Sequence, residues 1–239
     1  MSALSVIYTL LFYAASAVFL GGFLIKIYGY ASTPAPLKIP TTPAPITKSG
    51  VALRLAGEVF LFTSLFKGNK WTWVGGYAFH AAFAVVIFRH LRYFIQPVPD
   101  LMAYLNPTGI WAGVVLLGAA AYLFARRIYV DRVHYISSGA DYFALILIGL
   151  IAATGLFMKF IVRTDVMGVK EFTLGLVTFS PADMPADFMF IIHFTLVLAL
   201  MAYFPFSKLM HLGGIFFSPT RNQADDCRER RHVNPWAAT

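Results

Sequence analysis

Six histidines interrupt a chain otherwise rich in apolar residues: His80, His90, His134, His193, His211 and His232. His80 and His90 lie ten positions apart in "AFHAAFAVVIFRH" (Ala78–His90), and His193 and His211 lie eighteen apart in "IIHFTLVLALMAYFPFSKLMH" (Ile191–His211). Ionisable groups in such apolar runs are costly at membrane depth, which marks them as functional candidates. Imidazole is a common axial ligand for haem iron, and paired imidazoles suit the core of a helix bundle. On a helix, ten residues rise ~15 Å and eighteen rise ~27 Å. Eighteen positions make five full turns, so His193 and His211 would share a face of a regular helix, whereas a ten-residue step at ~100° per residue misses three turns by ~80°. Pro205, between His193 and His211, should kink or end the helix. A membrane histidine can also serve only as an interhelical hydrogen-bond partner. A transition-metal site fits less well, because the pairs lie at different depths without nearby carboxylates.

The elements that must carry these residues are visible in the hydropathy. The chain has 239 residues, 59% hydrophobic and only 13% charged, with a mean hydropathy of +0.69. A soluble domain would carry about twice that charge. Five apolar runs, Leu4–Tyr28, Trp71–Ile95, Gly109–Ala125, Tyr142–Val162 and Phe188–Phe206, approach the ~20 residues that cross a bilayer as helix. They are continuous, unlike the alternating segments of a membrane β-barrel. The expected fold is an all-α membrane protein: five transmembrane helices in a bundle, with room for two haems at different depths between the paired histidines. A sixth run, Val51–Phe66, is shorter and carries Arg54 and Glu58 at helical i,i+4 spacing, as an interfacial helix would. The five-proline stretch Ser32–Gly50 before it reads as an extended loop. The expected organisation is a membrane domain over residues 1–218, with the loop and interfacial helix at 31–70 on the cytoplasmic side, followed by a cytoplasmic tail at 219–239.

Charge sets the orientation. Lys38, Lys48, Arg54, Lys67 and Lys70 fall between the first two spans; Arg126, Arg127 and Arg132 between the third and fourth; and Lys208, Arg221, Arg228, Arg230 and Arg231 after the fifth. With five spans these regions share one side, and the positive-inside rule places that side, with the C-terminus, in the cytoplasm and the N-terminus outside. His80 and His211 are then inner, and His90 and His193 outer, which pairs His90 with His193 and His80 with His211 across antiparallel helices. The net charge of +8 follows from this topology, and no nucleic-acid-binding motif accompanies it. The single cysteine, Cys227, excludes an internal disulfide and a self-contained iron–sulfur cluster. No C-x-x-C-H occurs, so covalent c-type haem is not expected. The N-terminus has no basic region of the kind that begins a cleaved signal peptide.

Other charged residues have two readings each. Arg89 and Arg92 flank His90 and could bind haem propionates or polarise a quinone oxygen, or could snorkel at the outer boundary. Lys159 in "GLFMKF" could serve a quinone or snorkel with Arg163. Arg126, Arg127 and Arg132 could hold inner propionates, although orientation alone explains them. His134, beside Arg132, and His232, after Arg230 and Arg231, read as solvated or as part of a partner surface.

Three segments carry a family resemblance: "FHAAFAVVIFRH" (Phe79–His90), "RVHYISSGADYFALILIGLIAATGLF" (Arg132–Phe157) and "IIHFTLVLALMAYFPFSKLMH" (Ile191–His211). From the second span onward the chain resembles the cytochrome b gamma subunits of respiratory nitrate reductase, the NarI-like proteins. "SLFKGNKWTWVGGYAFH" (Ser64–His80) and "SPTRNQADDCRERRHVNPW" (Ser218–Trp236) resemble more closely the DsrM-type subunit of the transmembrane complex linked to dissimilatory sulfite reductase. The resemblance implies two b haems, with His90 and His193 on the outer iron and His80 and His211 on the inner one. It implies quinone chemistry, with menaquinone as substrate, near the outer haem. It also implies a cytoplasmic iron–sulfur partner resembling heterodisulfide reductase, and further membrane and periplasmic subunits, in a bacterial or archaeal cytoplasmic membrane. One departure matters: nitrate reductase members carry a basic residue between the second and third spans, where Gln96–Thr108 offers only Asp100 as a charge. The quinone contacts therefore do not transfer. From another class, a haem-free ion or proton carrier or a passive anchor would also be an apolar helical bundle. The carrier would use the intramembrane His, Arg and Lys, but no inverted repeat or broken helix supports it, and the anchor does not explain four histidines at these depths.

Overall fold

In the computed structural model the described residues, 1–104 and 106–233, form helices and turns with no strand among them. In chain order the helices are α1 (Ala3–Ser32), α2 (Lys48–Phe60), α3 (Thr63–Gly68), α4 (Lys70–His90), α5 (Asp100–Tyr104), α6 (Asn106–Tyr129), α7 (Asp131–Tyr135), α8 (Gly139–Phe157), α9 (Val166–Val177), α10 (Phe188–Tyr203), α11 (His211–Gly214) and α12 (Pro219–Asn222). A tight turn, Leu91–Tyr93, continues α4, and a wide π-type turn, Met158–Val162, continues α8. Five stretches are long and apolar enough to cross a membrane: Ala3–Ser32, Lys70–Tyr93, Asn106–Tyr129, Gly139–Val162 and Phe188–Phe206. These are the five expected runs: the first, third and fourth are extended at polar ends, the second runs Lys70–Tyr93 rather than Trp71–Ile95, and the fifth is unchanged. Asn234–Thr239, the end of the expected 219–239 tail, lies outside the described residues.

The chain divides into two compact units: Met1–Phe19 with Val74–Tyr203, and Leu20–Trp73 with Phe204–Thr239. In the first, neighbouring helices run antiparallel, as short connections require. A side chain at Gly75 would press on Tyr122, and one at Gly109 on Arg89, so the start of α4 meets the end of α6 and the reverse. Likewise Phe124 packs on Tyr142 while Gly113 faces Leu156, and the Tyr203 hydroxyl donates to the Ala140 carbonyl at 3.2 Å while His193 meets Thr154. The order α4–α6–α8–α10 therefore places His90 and His193 at the same end of this unit.

The core of that unit holds an element the hydropathy does not separate from its loop. Helix α9, capped by the Asp165 carboxylate accepting from the Met167 amide at 3.0 Å, buries Phe172 and Leu176 completely among Ala15, Met184, Phe190, Phe194 and Leu198. The Tyr13 hydroxyl donates to the Leu176 carbonyl at 3.0 Å, fastening α1 to it. Charges at Lys170 and Glu171 mask the twelve-residue amphipathic pattern in sequence.

In the second unit the expected interfacial helix Val51–Phe66 is two helices. The chain breaks at Leu61–Phe62, where Phe62 takes a left-handed conformation (φ 52°). Glu58 accepts from the Ser64 amide at 3.2 Å and from the Ser64 hydroxyl, which occupies free donors at the start of α3. The Pro-rich loop has no regular structure, as expected, but it is fastened to the tail. The Thr41 amide donates to the Thr220 carbonyl at 3.0 Å and the Asp225 amide to the Pro45 carbonyl at 2.9 Å. The Ile39 amide donates to the Gln223 side chain at 2.9 Å, and Lys38 pairs with Asp226.

Candidate functional site: a histidine and arginine cluster in a helical bundle

Helix α4 positions His80 and His90 through its own backbone. Each Nδ1 lies 2.7 Å from the carbonyl four residues earlier, Gly76 for His80 and Val86 for His90. A carbonyl only accepts, so each Nδ1 carries the proton, and Nε2 holds the lone pair in the neutral ring. His193, on α10, reaches across to α8, where its Nδ1 lies 2.9 Å from Thr154 Oγ1. Gly155 makes this approach possible, since a side chain there would crowd the imidazole at 3.3 Å. His90 and His193 lie at the same end of the bundle, where α4 ends and α10 begins. Both are half-buried, whereas His80 is exposed within its unit.

The regular-helix expectation for His193 and His211 is not met. Helix α10 ends at Tyr203, a tight turn spans Phe204–Phe206, and Ser207 is extended (φ −118°). Pro205 explains the break: it lacks an amide proton and its ring clashes with the preceding turn. His211 opens α11 in the second unit, with Nδ1 2.8 Å from the Lys208 carbonyl. All four candidate histidines thus have Nδ1 against a neighbouring oxygen, the arrangement in which a metal-bound imidazole has its non-ligating nitrogen held by an acceptor. His134 makes a similar bond, Nδ1 to the Arg127 carbonyl at 3.0 Å, so this bond alone does not mark a ligand; helix position does.

Beside His90, two guanidiniums converge on one amide. Arg89 Nε and Arg92 Nη1 each donate to Asn106 Oδ1 at 2.8 Å, and Arg92 Nη2 donates to the Tyr93 hydroxyl at 2.7 Å. Gly109 gives Arg89 its place, because a Cβ there would fall 2.1 Å from Arg89 Cδ. No carboxylate partner is recorded for either arginine among the described residues, and Arg92 Nε is buried without a hydrogen-bond partner. A buried or half-buried cation pair with a spare donor fits an anionic ligand group. Imidazole lone pairs together with free guanidinium donors fit a haem with carboxylate side groups.

A cavity of about 170 Å³ adjoins this cluster, lined by Arg92, Tyr93, Val98, Val166 and Lys170. The Tyr93 ring lies 5.9 Å from that of His90. The Thr173 hydroxyl donates to the Tyr93 carbonyl at 2.7 Å, fastening α9 to the turn, and Lys170 donates to the Gln96 side chain. Lys170 thus brings a basic residue to the end of the bundle where Gln96–Thr108 supplies none.

The remaining candidates are dispersed. Lys159 is exposed on the turn after α8. Arg127 donates to the Ser137 hydroxyl at 2.8 Å and lies 4.0 Å from Asp141. Arg126 sits over the Tyr122 ring at 5.8 Å, and Arg132 is exposed on α7. Asn106, Tyr93, Thr154 and Lys170 are absent from the sequence-derived site. Asp165, the cap of α9, stands in the sequence ahead of Lys170, but the charges at Lys170 and Glu171 obscure the helix it starts.

Five stretches long and apolar enough to cross a membrane mark a multi-pass helical membrane protein. The chain belongs to the nitrate reductase gamma subunit family, whose pattern matches residues 59–222. It is 36% identical to the Hdr-like menaquinol oxidoreductase cytochrome b-like subunit of Archaeoglobus fulgidus, over 94% of this chain and 81% of the relative. It is 35% identical to the protein of the same description from Archaeoglobus profundus, over 94% and 80%.

Proposed function

We propose that this chain is the dihaem b-type membrane subunit of an Hdr-like menaquinol oxidoreductase, linked to sulfur or sulfite reduction. It would pass electrons from menaquinol to a cytoplasmic iron–sulfur partner. The carrying observation is that His90 and His193 lie at the same end of an antiparallel bundle, each with Nδ1 engaged by a neighbouring oxygen, which leaves Nε2 to bind. Those two would hold the outer haem, and His80 with His211 the inner one. When bound, haem supplies a one-electron iron couple in a medium that excludes water.

The chain's own residues do the rest. The helix carbonyls and Thr154 hold the ring tautomers. Arg89 and Arg92, oriented by Asn106, neutralise the carboxylates of the outer group. The cavity beside Arg92 takes the menaquinol headgroup between Val98 and Val166, with Tyr93 and Lys170 as donors to its oxygens. Menaquinol oxidation there releases two electrons and two protons, the protons on the outer side. The charge distribution supports a cytoplasmic-membrane location with the N-terminus outside. The relatives' description favours this complex over respiratory nitrate reductase itself.

The test is purification from membranes, a reduced-minus-oxidised spectrum, and reduction by a menaquinol analogue. A b-type spectrum that develops with the quinol is expected. A colourless protein, or haem that only a strong chemical reductant reduces, would overturn the reading.

A further inference from the structure

Three of the four histidines place Nδ1 on a backbone carbonyl: His80 on Gly76, His90 on Val86 and His211 on Lys208. His193 Nδ1 instead meets a side chain. Thr154 Oγ1 lies 2.9 Å from His193 Nδ1, 2.8 Å from the Leu150 carbonyl and 3.0 Å from the Ile151 carbonyl. A hydroxyl has one proton to give. Both carbonyls can only accept, so the hydroxyl proton goes to the α8 backbone and the oxygen accepts from His193 Nδ1–H. Thr154 Oγ1 is the hydrogen-bond partner of His193 Nδ1. The result is a two-step chain from imidazole to hydroxyl to backbone, at a position where Gly155 removes the side chain that would push the ring away.

We infer that Thr154 is a positioning residue for His193: it fixes the ring's orientation and Nδ1–H tautomer so that Nε2 faces the ligand, and it sets how strongly that imidazole donates. The inference rests on the reading of His193 as an axial ligand. The three carbonyl-held rings are fixed by their own backbone, which side-chain substitution leaves in place. The donor strength of His193 is instead open to control by a neighbouring side chain. A hydroxyl is a weaker acceptor than an amide carbonyl, and losing it leaves the N–H short of a partner. The imidazole then donates less to a bound metal.

The experiment is a spectroscopic redox titration of the purified membrane complex carrying Thr154→Val, with Thr154→Ser as the conservative variant. Thr195→Val, on the outer face of α10 where the hydroxyl bonds Tyr8 at 2.7 Å, is the control. Expected is an upward shift in the midpoint potential of one haem, the other unmoved, restored by serine and absent in the control. No shift, an equal shift of both haems, a shift that serine fails to reverse, or the same shift in the control would overturn it. So would a downward shift. A wild-type complex without b haem would instead refute the proposed function itself, so the two failures are distinguishable.

Discussion

The two ends of α6 treat arginine differently. At its end, Arg127 is committed to the scaffold: it bonds Ser137 and lies 4.0 Å from Asp141, which also caps α8 with Ser138. At its start, Arg89 and Arg92 share one neutral amide oxygen of Asn106, and Arg92 retains an unused buried donor. Two like charges around one amide cost stability unless an anion joins them. The second unit repeats the committed pattern, with Lys38 on Asp226 and Arg221 3.9 Å from Glu58. The positive-inside rule accounts for basic residues that the fold then neutralises. It does not account for a guanidinium pair on the other side left for a ligand.

The comparison breaks most sharply at the unpaired end. Arg89→Ala or Arg92→Ala should weaken retention of one haem about 10- to 100-fold, from the ~1.5–3 kcal/mol of a charge-assisted hydrogen bond, measured by haem loss on dilution. Equal loss of both haems would contradict the assignment. Asn106→Ala keeps both charges but frees their orientation, so a smaller effect is expected, about tenfold on the same haem. At the committed end, Asp141→Asn should cost about 1 kcal/mol of thermal stability through the α8 cap and leave haem content unchanged.

The smallest effect concerns Glu58. Burial pushes its carboxyl upward, but the Ser64 hydroxyl and amide, Thr63 and the Arg221 charge outweigh this and hold it below the ordinary carboxylate range. A depressed folded-state value means that the stabilisation is complete above the unfolded value and is lost as pH falls through the folded one. Glu58→Gln should therefore destabilise the α2–α3 turn by under about 1 kcal/mol near neutrality, with the difference from wild type closing below about pH 4. Limited proteolysis around residues 61–69 across pH reads this directly, and a pH-independent difference would contradict it.

The spans were legible because length and apolar continuity suffice to define them, and Phe188–Phe206 coincides with its expected bounds. The break before His211 was half legible: Pro205 announces it, but the five-turn face argument required a regular helix that Pro205 and the extended Ser207 do not allow. Helix α9 was hidden because Lys170 and Glu171 make its exposed face look like loop. Asn106 and Thr154 were not legible at all. Each acts through one oxygen on a neighbouring helix, 17 residues from Arg89 and 39 from His193 in sequence, and neither type nor spacing marks such a partner.

The central claim is that His90 and His193 together hold one of two haems. Haem content per chain, measured on purified wild type and on His193→Ala, tests it most directly. The account predicts two haems in the wild type and one in the variant, with His90→Ala losing the same spectral component. Wild type without haem, full retention in His193→Ala, or loss of different components in the two variants would contradict it.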